Sequence, residues 1–340
     1  MKKVVTLGEI MLRLSPPDYR RIIQTDTFDV VYGGGEGNVA VSLANFGLES
    51  CFVTKLPDNP LGQSALNHLR RFGVMTDYIV RGGSRLGVYF LEIGASQRPS
   101  KVVYDRSHSA ISEAEPDDFD WDAIFQDADW FHFTGITPAI SDKAAEVTRM
   151  ACEKAKKYAV KVSADLNFRK KLWTPEKANR IMSPLMKYVD IAIGNEEDAE
   201  KVFGIKARGT DVEKGKLDVT GYYDVAKQLV ERFGFKHVAI TLRESLSAFD
   251  NNWSGLLFDG KTFYQSQKYK IHIVDRVGGG DSFSAGLIYS FISQREPQNA
   301  IEFAAAASCL KHSIPGDMNM VSADEVDHLL KSGGSGRVQR

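Results

Sequence analysis

Short apolar runs alternate along the chain with amphipathic stretches. Residues 4–8 read as a buried strand, 38–46 as a helix stopped by Gly47, and 51–55 as the next strand. The same rhythm continues through a helix over 61–72 ended by Gly73, a strand over 130–133, a helix over 141–158, a strand over 161–164 and a helix over 175–187. A strand over 190–193, a helix over 222–233 and a strand over 237–242 follow, and then three helices in succession at 282–293, 297–312 and 322–331. Repeated strand–helix alternation predicts an α/β fold, with a mostly parallel central sheet and helices on both faces.

Two segments break that rhythm. Residues 12–32 and 85–111 have strand-like pieces and turns but no good helix, and 88–92 with 101–104 look like a hairpin pair. They predict a small β-sheet off the main body, used as a lid or an oligomer contact; an ordinary β-meander would have the same pattern. Residues 207–220 are polar and charge-rich, with Gly209, Gly215 and Gly221 nearby, and read as an exposed insertion. The Ser/Gly-rich tail over 332–340 reads as flexible, which leaves 1–331 as one domain. No internal repeat is visible.

Composition narrows the function classes. With 340 residues, 43% hydrophobic and 26% charged, the chain can build a large core and needs no metal or disulfide staple. A net charge of −1 supplies no basic field for nucleic acid. No apolar run is long enough to span a membrane, and the N-terminal stretch is broken by Glu9, unlike a signal peptide. Cys51, Cys152 and Cys309 are odd in number and far apart, which fits neither a disulfide framework nor a zinc cluster and points to a reducing cytoplasm. Residues 204–210 come nearest to a Walker A loop but lack its lysine, and neither glycine cluster satisfies G-x-G-x-x-G. G-x-S-x-G, HExxH and CxxC are absent, and a lone His132 on a strand suits a core position. P-loop, dehydrogenase, serine hydrolase and zinc enzyme readings weaken accordingly.

The candidate chemistry sits at the predicted strand ends. In Asp275-Arg-Val-Gly278-Gly279-Gly280-Asp281-Ser-Phe283-Ser-Ala-Gly286, three glycines and an acid open an apolar helix. Glycine amides there can converge on an anion with help from the helix dipole, and Asp281, ionised in that field, could take a proton from an alcohol. That combination suits phosphoryl transfer to a hydroxyl; a glycine turn capped by Asp281 has the same letters. Gly33-Gly34-Gly35-Glu36-Gly37-Asn38 feeds another helix start and suits a polyhydroxyl ligand or a tight turn. Asp165, Asn167 and Arg169 follow one strand, Asn195-Glu196-Glu197-Asp198 another, and Thr241 and Arg243 end a third. Ligands of open parallel sheets bind at that carboxyl edge, and the acids at 196–198 could hold Mg²⁺ through water.

These two glycine motifs, in this order and separation, resemble the two signatures of the ribokinase-like (PfkB-type) carbohydrate kinases, and the resemblance spans about residues 2–331. It implies a three-layer α/β sandwich with a β lid closing over a sugar, and Mg-ATP as phosphoryl donor. Asp281 would be the base, and Gly278, Gly279 and Gly280 the anion hole. Gly279 replaces the usual Ala, and the acid of the family's N-x-x-E motif, which begins at Asn195, falls on Asp198 instead of Glu. Asn195, Thr241 and Arg243, with Gly278 and Gly280, would bind the nucleotide, and the loop near 308–316 would wrap the adenine. Some members need a monovalent cation beside that loop.

Within the family the chain is most similar to kinases of 2-keto-3-deoxygluconate, which phosphorylate its 6-hydroxyl. Arg106, in Tyr104-Asp105-Arg106, and Arg169 would hold the sugar carboxylate through planar forks. Tyr104 belongs to the segment that resembles the carboxylate site of those kinases, Tyr89 would pack on or hydrogen-bond the sugar chain, and Gly34 and Asn38 would hold its hydroxyls. A surface ion pair is the other reading of Arg106. The alternatives are a fructokinase or ribokinase acting on a neutral sugar, and a catalytically silent sugar sensor. The unpaired lid edges suggest a homodimer.

Overall fold

Fourteen strands and eleven α-helices occur among the described residues, 2–206 and 219–333 of the computed structural model. The strands are β1 (Lys3–Leu7), β2 (Met11–Ser15), β3 (Asp29–Gly33), β4 (Glu49–Leu56), β5 (Ile79–Arg81), β6 (Val88–Glu92), β7 (Lys101–Asp105), β8 (Trp130–Thr134), β9 (Lys161–Asp165), β10 (Ile191–Gly194), β11 (His237–Ser245), β12 (Asp250–Phe258), β13 (Phe263–Gln265) and β14 (Tyr269–His272). The helices are α1 (Gly35–Asn45), α2 (Pro60–Arg71), α3 (Trp121–Phe125), α4 (Thr137–Ile140), α5 (Asp142–Lys157), α6 (Pro175–Leu185), α7 (Glu196–Phe203), α8 (Val219–Phe233), α9 (Gly279–Ile292), α10 (Pro297–Lys311) and α11 (Ala323–Ser332).

Runs that are apolar without alternation form the middle of the main sheet, where both faces are covered. All five residues of β1 and of β8 are buried. The sheet order is β13-β12-β11-β10-β9-β8-β1-β4-β5, with β14 also on β12. Pairing is parallel from β11 to β5 and antiparallel on the β12 side. One core packs α3, α5, α6, α7 and α8 against one face; a second packs α1, α9, α10 and α11 against the other. α9 is apolar on nearly every side, as a helix must be when it lies inside. This is the ribokinase-like α/β fold that the alternation and the motifs lead one to expect.

The two irregular segments form the expected second sheet, in the order β3-β2-β6-β7, with β6 and β7 as the antiparallel hairpin. Met11, Tyr89 and Leu91 form a small cluster of their own, against which Val277 packs. β12, β13 and β14 carry no readable pattern. Asp250-Asn251-Asn252 and Ser254-Gly255 are poor strand formers, and the ready-made edge of β11 is what orders them. α9 begins at Gly279, ahead of its predicted start, because glycines that read as a turn are already helical. Most of the insertion expected over 207–220 lies outside the described residues, as does the tail beyond 333. No helix of the described residues is long and apolar enough to cross a membrane.

Candidate active site

From β1 the chain runs to β4 and β5 on one side and then returns to β8 on the other, so the switch point lies between β1 and β8. Adjacent carboxyl ends leave a crevice there, and the first glycine cluster fills it. Glu36, wholly buried, accepts on Oε1 from the Thr134 amide (3.0 Å), Thr134 Oγ1 (2.8 Å) and Thr137 Oγ1 (2.6 Å). Its backbone carbonyl accepts from Thr6 Oγ1 (3.0 Å). Burial pushes its carboxyl up to about 7 against the pull of those donors. Glu36 thus clamps the start of α1 onto β1 and β8. Gly34 passes so close to Glu9 that a Cβ would collide with its carbonyl oxygen.

The second cluster opens α9. Gly278 has φ 83°, a left-handed conformation, and a Cβ there would run into the carbonyl of Asp317. Gly279 is braced by α10, whose Ser308 Oγ donates to its carbonyl at 2.7 Å while the His312 ring packs on it. Nothing lies within 4 Å of where a Cβ on Gly280 would stand. The amides of Gly280 and Asp281 have no hydrogen-bond partner among the described residues. α9 therefore aims free donors and the positive end of its dipole at open space. Gly278→Ala should cost about 2–5 kcal/mol from left-handed strain and overpacking, read as a lowered denaturation midpoint. An unchanged midpoint would remove this account of the turn.

Asn38 Nδ2 donates to Asp281 Oδ2 at 2.7 Å, across 243 residues of sequence. Asn38 Oδ1 accepts from the Gly34 amide at 3.3 Å, so one side chain ties the two glycine motifs together. Asp281 is half-buried. Burial pushes its carboxyl up to about 6; Asn38, Arg169 and Lys311 pull it down, and Asp317 adds to the rise. Desolvation thus outweighs the helix field on which the expectation of an ionised Asp281 rests. At pH 7 the ionised form still prevails about tenfold.

Asp165, buried at the end of β9, is pushed well above the usual range by burial and by the like charges of Asp198 and Asp281; Arg169 opposes this. Asn195 caps α7, its Oδ1 accepting from the amides of Glu197 (2.9 Å) and Asp198 (3.0 Å). Asp198 accepts in return from the amides of Asn195 (2.9 Å) and Phe168 (2.8 Å). It is a buried brace between two strand-end loops. No three metal-ligating side chains of the described residues form a cage. The crowded carboxylates suit a hydrated Mg²⁺ held at one remove, because Mg²⁺ keeps several of its waters. Thr241 Oγ1 donates to the Gly194 carbonyl at 3.4 Å. Arg243 is exposed beside Arg276 and His312, and adds to the fall that burial causes in both.

On the lid, Tyr89 is buried and its hydroxyl donates to Asp317. Asp317 and Asp275 in turn hold the buried Arg13 at 2.7 Å each. Tyr89 therefore has its hydroxyl engaged inside the protein and its ring packed with Met11 and Leu91 and against Tyr104. Tyr104, opposite it on β7, is 40% exposed and flanked by the Arg106 guanidinium and the Lys171 ammonium. Arg106 makes a buried pair with Glu9, not a surface one, and its Nε has no partner among the described residues. Arg169, exposed, faces the acids around Asp281.

Gly34, Asn38, Gly278–Gly280, Asp281, Arg169 and Asp198 thus gather around one crevice, with Asn195 at its edge. On β11, Thr241 bonds Gly194 beside Asn195, and Arg243 lies beside Arg276 and His312. Glu9, Arg13, Glu36, Asp317 and Lys311 escape the sequence reading. Arg13 was signalled by a charge inside an alternating strand, and Lys311 by its helical spacing from Ala304, Ala307 and Ser308.

The profile of the pfkB family carbohydrate kinases matches residues 1–324. The 2-dehydro-3-deoxygluconokinase of Thermotoga maritima is 56% identical, over 97% of this chain and 100% of that one, with a TM-score of 0.94. The 2-dehydro-3-deoxygalactonokinase of Haloferax volcanii is 32% identical over 334 residues, 98% of each chain. A fructokinase of Xylella fastidiosa with bound ATP, 21% identical over 98% of this chain and 99% of that one, shares the fold at a TM-score of 0.77. ATP binding and magnesium are typical of such kinases. Motif order, lid, crevice and relatives agree: the chain belongs to the pfkB family of carbohydrate kinases.

Proposed function

We propose that this kinase transfers the γ-phosphoryl group of ATP to the 6-hydroxyl of 2-keto-3-deoxygluconate. The observation that carries the reading is the Asn38–Asp281 bond, which sets an ionised carboxylate beside free amides at the switch point. Asp281 accepts the hydroxyl proton as the sugar oxygen bonds to the γ-phosphorus. The bond from that phosphorus to the bridging oxygen breaks, and ADP leaves with the electron pair. The amides of Gly280 and Asp281 steady the charge on the moving group, where positioning outweighs base strength. Asp165 and Asp198 would hold a hydrated Mg²⁺ through water, and that ion would supply neutralising charge to the phosphates.

Gly34 and Asn38 hold sugar hydroxyls, the rings of Tyr89 and Tyr104 flank the chain, and Arg106 and Arg169 hold the carboxylate. Asn195, Thr241 and Arg243 line the nucleotide side. The domain spans 1–331 and works in the cytoplasm. The exposed Val30 on β3, and Val103 and Tyr104 on β7, support a homodimer formed along the lid edges. The Haloferax relative favours a second reading, the C4-epimeric sugar acid. ADP release with Mg²⁺, using 2-keto-3-deoxygluconate, 2-keto-3-deoxygalactonate, fructose and ribose side by side, decides among these. Sugar acids should lead by at least tenfold; a neutral sugar in the lead would overturn the carboxylate site.

A further inference from the structure

The monovalent cation implied by the resemblance does not fit the residues present. Lys311, at the end of α10, is wholly buried. Its ammonium donates to the carbonyls of Asp275 (3.3 Å) and Ile314 (3.1 Å). The Asp275 carboxylate holds Arg13 and accepts from the amides of Val277 (3.1 Å) and Gly316 (3.0 Å). The Lys311 side chain passes beneath the glycine turn, 3.2 Å from where a Cβ on Gly278 would stand. Burial lowers the ammonium's pKa and Arg13 adds to the fall, while Asp275, Asp317 and Asp281 oppose it. Converging oxygens around a buried positive charge are what a hard cation asks for, and here the charge is covalently attached.

We propose that the Lys311 ammonium is a tethered substitute for a free monovalent cation, fixing the turn that carries Gly278–Gly280 so that phosphoryl transfer needs neither K⁺ nor NH₄⁺. Lys311 touches no reacting atom; it is a positioning residue. A lysine in a last helical turn often only bonds its own trailing carbonyls. That accounts for Ile314 but not for Asp275, 36 residues earlier. A methionine would fill the same space without the cost of burying a charge.

The effect on rate rests on the kinase reading; cation binding itself does not. Wild-type rate and melting temperature should be equal in KCl, NH₄Cl and tetramethylammonium chloride at one ionic strength. Lys311→Ala should lose on the order of 10²-fold in kcat in tetramethylammonium. It should recover at least tenfold with K⁺ or NH₄⁺, which should also raise its melting temperature by binding the vacated cage. Lys311→Met, with the space filled, should stay slow in every salt. Wild-type stimulation by K⁺ beyond twofold, a Lys311→Ala protein whose melting ignores both ions, or wild-type kcat in Lys311→Met would each overturn the proposal. If Lys311→Ala does not fold, the wild-type salt series and Lys311→Met decide it. Should no sugar be turned over, the melting responses still separate this inference from the kinase reading.

Discussion

Asp281→Asn should lower kcat by about 10²–10⁴-fold while leaving sugar binding within a few-fold. Asparagine keeps the shape and can still bond Asn38, so the α1–α9 junction survives and the loss reports the missing proton acceptor. Because burial raises this carboxyl to about 6, the wild-type rate should be full above pH 7 and fall as pH drops through about 6. Protonation removes the base, so the acid limb is where activity disappears. Initial rates from pH 5 to 8, with sugar affinity by calorimetry, check both halves. An Asp281→Asn protein with near-wild-type kcat would eliminate the base mechanism. A flat profile down to pH 5 would place its pKa lower than the desolvated site allows.

The second large effect is expected at Arg106. Its guanidinium is buried beside Glu9 with Nε unused, a donor held ready where a carboxylate could be gripped. Arg106→Ala should reduce kcat/KM for the sugar acid by roughly 10²–10³-fold and leave any turnover of fructose within about threefold. The single variant also strands Glu9 as a buried charge, which by itself can cost about 3–5 kcal/mol of stability. The Arg106→Ala/Glu9→Gln double variant removes that complication. If the double variant folds normally and keeps its preference for the acid, Arg106 is a lid fastener and the carboxylate is held elsewhere.

The legibility of this chain followed the range of the interactions. Strands buried on both faces announce themselves as apolar runs, and helices by their caps and spacing, so the layered sheet and the lid hairpin could be read directly. The two glycine motifs were visible as letters, but their meeting through Asn38 and Asp281 was not, because pairing across the whole chain leaves no local trace. The buried Arg13–Asp317–Tyr89 network was hidden for the same reason: Asp317 sits in a Pro-Gly-Asp stretch that looks like an ordinary turn. Asp281 looked like a carboxylate in a helix field, and only the folded crevice revealed how far it is desolvated. β12 to β14 were illegible because a neighbouring edge, not their own residues, determines them.

The Arg13 guanidinium bears on the order in which the protein is made. Its partner Asp317 comes 304 residues later. At ribosomal speeds of roughly 5–20 residues per second, on the order of 15–60 seconds separate the two. Until then the lid strand carries a cation destined for the interior without its full pair of carboxylates, and the Gly278 turn lacks the Asp317 carbonyl it packs against. A nascent or prematurely ended chain can lay down much of the sheet without assembling a working centre. One of the first strands to emerge thus waits for one of the last loops to complete the crevice.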